Sequence, residues 1–216
     1  MPKRPENEKA LQEREAIGVI RASRFVRNYA RSHKPINIQT ICAIHKTIFK
    51  NAWPEIAGAY RVENVKIDSS KHLPPHFSQV PAIMQEKDTE LAGLLSGLAT
   101  AEGSIYEESP KAIDNIPRVI HAAAWAHHMI TYVHPFIEGN GRTARLAANL
   151  ILERYGLIGI SIRIEKENKG CYRQSLAQID IAGDYEPLEN LIIEGLKQRY
   201  NGIAVKYYPL PADSHK

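Results

Sequence analysis

Residues 117–155 read P-R-V-I-H-A-A-A-W-A-H-H-M-I-T-Y-V-H-P-F-I-E-G-N-G-R-T-A-R-L-A-A-N-L-I-L-E-R-Y. The part up to Val133 is alanine-rich and apolar along its whole length, which predicts a central buried helix. Pro117 suits the first helical position, where its fixed φ helps and its missing N–H costs nothing. A second, amphipathic helix is expected from Gly141 to Tyr155. Between the two lies a short loop, His134 to Asn140, held by Pro135 and by a Phe136 ring expected to point into the core.

Outward from this pair the chain stays helical. Residues 6–31 read as a helix, with Leu11, Ile17, Ile20, Phe25 and Tyr29 near helical spacing. Pro35 ends that region, and Asn37 is placed to cap a second helix whose Ile38, Ile41, Ile44 and Ile48 form one stripe. Further helices are expected over 82–101, 168–181 and 187–199, with a polar linker at 102–116. Tyr60, Val62, Val65 and Ile67 favour extended structure, and turns at Glu63-Asn64 or Asp68-Ser69-Ser70 predict a small β-hairpin. Pro74 and Pro75 follow as a stiff exposed loop. Trp53 and Trp125 read as core aromatics. The fold class is therefore all-α with one hairpin. Residues 1–34 read as an N-terminal helical extension, a solvated flank or partner-docking segment, 35–200 as the main domain and 201–216 as a loose tail.

Composition narrows the function classes. The 216 residues are 44% hydrophobic and 24% charged, which suits an ordinary soluble globule. Lys plus Arg (28) against Asp plus Glu (24) leaves a net charge of +4, too dispersed to imply nucleic acid. Cys42 and Cys171 have no C-x-x-C spacing, which argues against a disulfide framework or a cysteine zinc site. No run of 18 apolar residues predicts a membrane span. Residues 1–16 are charged throughout, unlike a secretory signal. The cytoplasm is the default location, with export or injection into a host left open.

The chemistry concentrates in His134–Arg145, H-P-F-I-E-G-N-G-R-T-A-R. An imidazole with a reference pKa near ~6.5 can take a proton from a hydroxyl at neutral pH. Glu138 is a hard carboxylate suited to Mg²⁺. Gly139-Asn140-Gly141 opens a helix, so its backbone N–H groups can approach an anion where the helix dipole favours negative charge. Arg142 and Arg145, three apart, share one face of the first turn and suit a polyphosphate. Any one of these features alone has an ordinary structural explanation. Together they form the toolkit of phosphoryl or nucleotidyl transfer. His121, His127 and His128 near His134 invite a metal reading, but no H-E-x-x-H is present, and polar lining or backbone packing suits them better.

This segment matches the Fic signature, H-x-F-x-[DE]-G-N-G-R-x-x-R, at every fixed position. The runs I-H-K-T-I-F and W-P-E-I-A-G-A-Y-R at 44–61, the V-K-I segment before Pro74-Pro75, and C-Y-R-Q-S-L and G-D-Y-E-P-L at 171–188 also resemble the Fic core. The resemblance implies a mainly helical Fic fold with a β-hairpin flap over the site. It implies protein adenylyltransferase (AMPylator) activity: AMP moves from ATP to a Ser, Thr or Tyr hydroxyl of a target protein, releasing pyrophosphate. It gives His134 the role of base and Glu138 that of Mg²⁺ ligand. Gly139, Asn140 and Gly141 become the anion hole, with Asn140 also orienting a phosphate. Arg142 and Arg145 take the β- and γ-phosphates, and Tyr172 sits near the adenine. Val65, Lys66 and Ile67 of the flap pair with an extended stretch of the target.

Doc-type relatives transfer the γ-phosphate and carry Ala-Asn-Lys where this chain has Gly139-Asn140-Gly141. Gly141 leaves the polyphosphate room, so AMP transfer is favoured over a Doc-like phosphotransferase. A non-catalytic nucleotide-binding module is the other alternative, and the retained His134 speaks against it. Many Fic proteins carry an inhibitory [ST]-x-x-x-E-[GN] helix whose glutamate pairs with the second signature arginine. Here only near misses occur, at Ser104–Glu108 before Ser109 and at Asn190–Glu194 before Gly195. The expectation is an active enzyme, or one restrained by a separate small antitoxin-like protein.

Overall fold

The computed structural model describes residues 6–32, 34–67, 70, 72–98, 110–160 and 169–201. These form seven α-helices: α1 (Glu8–Ala30), α2 (Ile38–Phe49), α3 (Val80–Leu95), α4 (Pro110–Val133), α5 (Asn140–Arg154), α6 (Lys169–Ala182) and α7 (Glu186–Asn201). Short 3-10 turns occupy Pro54–Ile56 and Phe77–Gln79. No helix among the described residues is long and apolar enough to cross a membrane.

The α4–α5 pair is the centre, with α1 and α2 against α5 and α3, α6 and α7 against α4. Small side chains let α4 sit deep: Ala122, Ala123, Ala124 and Ala126 are buried, as are Met129, Ile130 and Val133. Trp53, Trp125 and Phe136 are core residues. Asn37 caps α2 in a reciprocal capping box with Thr40, and the Ile38 N–H donates to Asp88 of α3 at 2.8 Å. The Ile38, Ile41, Ile44 and Ile48 stripe is fully buried.

Helix α1 departs from the expected face. Ile17 and Ile20 are 49% and 57% exposed, while Leu11, Gly18, Ala22, Val26 and Ala30 face inward. A Cβ on Gly18 would fall on the Ile48 carbonyl, so the small residues allow α1 to lie directly against α2. At its C-terminus, Arg154 of α5 donates to the carbonyl of Ala30 (2.7 Å) and to that of Tyr29 (2.9 Å), which also accepts from the Ser32 N–H and hydroxyl. Helix α1 is thus pinned to the core and is not a solvated flank.

Three other expectations change. Helix α3 starts at Val80 and ends at Leu95. Helix α4 starts at Pro110, so Pro117 lies inside it, where the lost N–H removes one ladder bond. The 102–109 part of the expected linker and the tail from 202 lie outside the described residues. No hairpin forms among the described residues between Tyr60 and His76. The backbone there bonds to side chains instead of to a second strand: the carbonyls of Glu63 and Pro75 accept from Arg61, and the Phe77 N–H donates to Asn64. Asp68, Ser69 and Lys71 lie outside the described residues.

Candidate active site

Helix α4 delivers His134, whose N–H still donates to Ile130 at 3.0 Å. Its φ of +50° lies in the left-handed region, the one non-glycine case among the described residues. This turns the chain sharply out of the helix. The His134 Nδ1 lies 3.2 Å from the Thr131 carbonyl. A carbonyl only accepts, so Nδ1 carries the proton and Nε2 keeps its lone pair. Burial lowers the imidazole pKa, opposed by the Thr131 bond and assisted by the nearby Arg61 charge. The side chain is therefore neutral near pH 7 and ready to accept a proton at Nε2.

The loop beyond is held from inside. Phe136 is fully buried and stacks on His45 with ring centroids 3.9 Å apart. The His45 Nδ1 accepts from the Gly58 N–H at 2.9 Å, so its Nε2–H donates to the Glu138 carbonyl at 3.0 Å. Burial drives the His45 pKa down to about 4, partly offset by that carbonyl, and the Arg142 charge adds to the drop. Gly139 has φ +77°, and a Cβ there would strike the Phe49 ring. Asn140 accepts from the Phe136 N–H (2.9 Å) and donates to the Phe136 carbonyl (2.8 Å). The Asn140 side chain thus closes the loop, and its backbone N–H stands at the start of α5.

On the anion side, the first α5 ladder bond runs from Thr143 to Gly139. The N–H groups of Asn140, Gly141 and Arg142 therefore have no partner within the helix. Glu138 folds over this end. Its Oε1 accepts from the Gly139 N–H at 3.0 Å and from Arg142 Nη2 at 3.1 Å. Arg142 also pairs through Nη1 with Glu15 of α1. Arg145 lies beside Gly141 and is engaged in no ion pair among the described residues. Burial lowers its pKa, yet a guanidinium stays charged at any pH of interest.

Tyr172 of α6 reaches the same floor, close enough to Arg145 for their charges to interact. However, it is only 8% exposed and its hydroxyl turns to His127 Nε2 at 3.4 Å. The sequence expectation sets it beside an adenine, and the ring packs edge-on against His127 of α4. The other α4 histidines serve packing. His128 pairs with Asp180 and His121 with Glu189, each at 2.7 Å. No group of three or more metal-ligating side chains occurs among the described residues. Of the flap residues, Lys66 is exposed and Val65 and Ile67 are half-buried in a loop without strand structure.

Sequence reasoning missed Glu15, His45 and Arg61. Glu15 had a signal: L-Q-E-R-E-A at 11–16 keeps the spacing of the inhibitory pattern. It has Leu11 in place of Ser or Thr and Ala16 in place of Gly or Asn, so a literal scan passes over it. Its partner is Arg142, the first signature arginine and not the second.

One helix–loop–helix thus carries a neutral imidazole, a carboxylate, a helix N-terminus and two guanidiniums within twelve residues. The chain belongs to the Fic/DOC family, which residues 35–152 match. It is 32% identical over 193 residues to protein adenylyltransferase fic-1 of Caenorhabditis briggsae, across 87% of this chain and 34% of that protein. The chain thus spans about a third of the length of the curated relatives it matches. The solved structure of Fic-1 from C. elegans is similar with a TM-score of 0.67 at 26% identity, covering 93% of this chain and 54% of that one. BepC of Bartonella tribocorum, solved with bound AMPPNP, shares the fold with a TM-score of 0.62 at 17% identity over 88% of each chain.

Proposed function

We propose that this protein is an adenylyltransferase that moves AMP from ATP to a Ser, Thr or Tyr hydroxyl of a protein target. The single observation that carries the reading is the tautomer of His134. With Nδ1–H held by Thr131, Nε2 is the nitrogen that keeps its lone pair. In the reaction Nε2 takes the hydroxyl proton, the target oxygen bonds to the α-phosphorus, and the bond to the β-phosphate oxygen breaks to release pyrophosphate. The α5 N–H groups and Arg145 hold the developing charge on the phosphates, and Arg142 joins them once Glu15 has left.

One carboxylate facing a polyphosphate site suits Mg²⁺, which keeps several waters and is held by one or two carboxylates together with phosphate oxygens. Glu138 would be that carboxylate, since its Oε1 already lies at the start of α5 against the Gly139 N–H and Arg142. Bound there, the ion would neutralise phosphate charge. The extended loop with Val65, Lys66 and Ile67 would position the target by strand addition, the pairing itself completing the flap. Restraint comes from within the chain, through Glu15 on Arg142, and no separate inhibitor is required.

The test is label transfer. The chain is incubated with Mg–ATP labelled at the α- or the γ-phosphate, and self-modification and lysate proteins are read by autoradiography and intact mass. Label from α alone supports AMP transfer. Label from γ alone would make the protein a Doc-like phosphotransferase. Nucleotide binding without either label would leave the interaction-module reading.

A further inference from the structure

Arg61 is 4% exposed, and its guanidinium faces three backbone carbonyls. Nε donates to His134 at 2.8 Å, Nη1 to Glu63 at 2.9 Å and Nη2 to Pro75 at 2.5 Å. Its own backbone N–H donates to Pro135 at 2.9 Å. No carboxylate pairs with it among the described residues, where the guanidinium is met by the His134, Glu63 and Pro75 carbonyls. Two of them, His134 and Pro135, are consecutive and belong to the turn in which His134 holds its left-handed φ of +50°. The other two, Glu63 and Pro75, bracket the loop that contains Val65, Lys66 and Ile67.

We propose that Arg61 is a positioning residue that fixes the catalytic histidine and the target-binding loop to one another, through the His134 carbonyl on one side and the Glu63 and Pro75 carbonyls on the other. A planar fork with five donors can span three carbonyls at fixed angles, whereas a lysine ammonium is a single point that cannot reach all three. Losing the fork frees the left-handed turn to relax, and the imidazole then shifts relative to the anion site. A displacement of about 1 Å between reacting groups lowers a rate about 100-fold. The nucleotide contacts lie on α5 and do not involve Arg61. The same link also sets the loop, so a target would be presented to the base only in the register that Arg61 holds.

This inference rests on the transfer reading, and its test separates the two. Arg61→Lys in the full chain is compared with the unsubstituted chain for AMP transfer from α-labelled ATP, Mg–AMPPNP binding by calorimetry, thermal midpoint, and amide hydrogen exchange over 62–67 and 72–76. The expected result is transfer reduced about 100-fold, AMPPNP affinity within about twofold because its contacts sit on α5, and faster exchange in both loop arms. Unchanged transfer with unchanged loop exchange overturns the proposal. So does parallel loss of transfer, AMPPNP binding and thermal midpoint, which would mark a general folding role. If the unsubstituted chain transfers no label, the transfer reading fails, and loop exchange together with the His134 ring ¹⁵N tautomer signal still decides whether Arg61 links the two parts. Should Arg61→Lys not fold, the Arg61 Nε–H of the unsubstituted chain is read by NMR. Slow exchange supports the link, and exchange as fast as an exposed arginine overturns it.

Discussion

Glu15 and Arg142, 127 residues apart in sequence, close an ion pair between the first and fifth helices. Glu15 is 12% exposed there, so its carboxylate is largely withdrawn from water and competes directly with any phosphate for the same guanidinium. Glu138 holds the other edge of Arg142 at 3.1 Å. In this arrangement Arg142 is engaged by two of the protein's own carboxylates, and Arg145 pairs with none among the described residues.

Glu15→Ala therefore raises transfer activity. Removing one buried carboxylate from a cation that nucleotide must use is expected to increase self-modification about 10-fold or more, equivalent to about 1.4 kcal/mol. Initial rates of α-label incorporation measure this. An unchanged or lower rate would show that the pair stabilises the fold without gating the site. Ile17→Asp, on the exposed face of α1, serves as the control and leaves the rate as it was.

His134→Ala abolishes transfer while AMPPNP binding survives, because the imidazole serves the hydroxyl and makes none of the α5 contacts. The loss expected from removing a general base is about 100-fold or more. Calorimetric affinity lost together with activity would place His134 in nucleotide binding instead.

Gly139→Ala destabilises the protein and empties the anion site. The substitution forces an L side chain to φ +77° and drives its Cβ into the Phe49 ring, on which the Arg142 guanidinium also lies, 5.2 Å from the ring centroid. Strain and overpacking together cost about 2–4 kcal/mol. Urea denaturation gives the first effect and AMPPNP titration the second. A wild-type midpoint would contradict the closeness of α2 to this loop.

Two buried histidines make stability fall on acidification. Burial lowers His45 to about 4 and His127 to about 3, while both titrate near ~6.5 in the unfolded chain. Above pH ~6.5 neither state binds the proton, and the histidines contribute no slope. Below it the unfolded chain takes up protons that the folded chain refuses, so stability declines as pH drops toward the folded values. At pH 5 the loss is roughly 2 kcal/mol per histidine. Urea midpoints at pH 7.5 and pH 5 check this, and His127→Gln should flatten the difference. The catalytic rate behaves in the same sense. His134 is lowered as well, so transfer is flat through neutral pH and declines only on the acid side of ~6.5.

Local chemistry alone was enough for much of this molecule. The Asn37 cap, the α2 isoleucine stripe, the alanine-rich α4 and the signature loop are all short-range patterns, set by helical period and by residues within a turn of one another. Those same patterns point to the proposed base, carboxylate and arginines. Long-range packing decided the rest. The face that α1 buries depends on how closely Gly18 can approach α2, which periodicity cannot reveal when Ile17 and Ile20 offer a larger apolar stripe. Glu15 meets Arg142, and Arg61 meets His134 and the loop arms, only because the helices bring distant segments together. Strand pairing at Tyr60–Ile67 is not seen among the described residues: β-propensity is a local preference, and in this segment Arg61 donates to the Glu63 and Pro75 carbonyls.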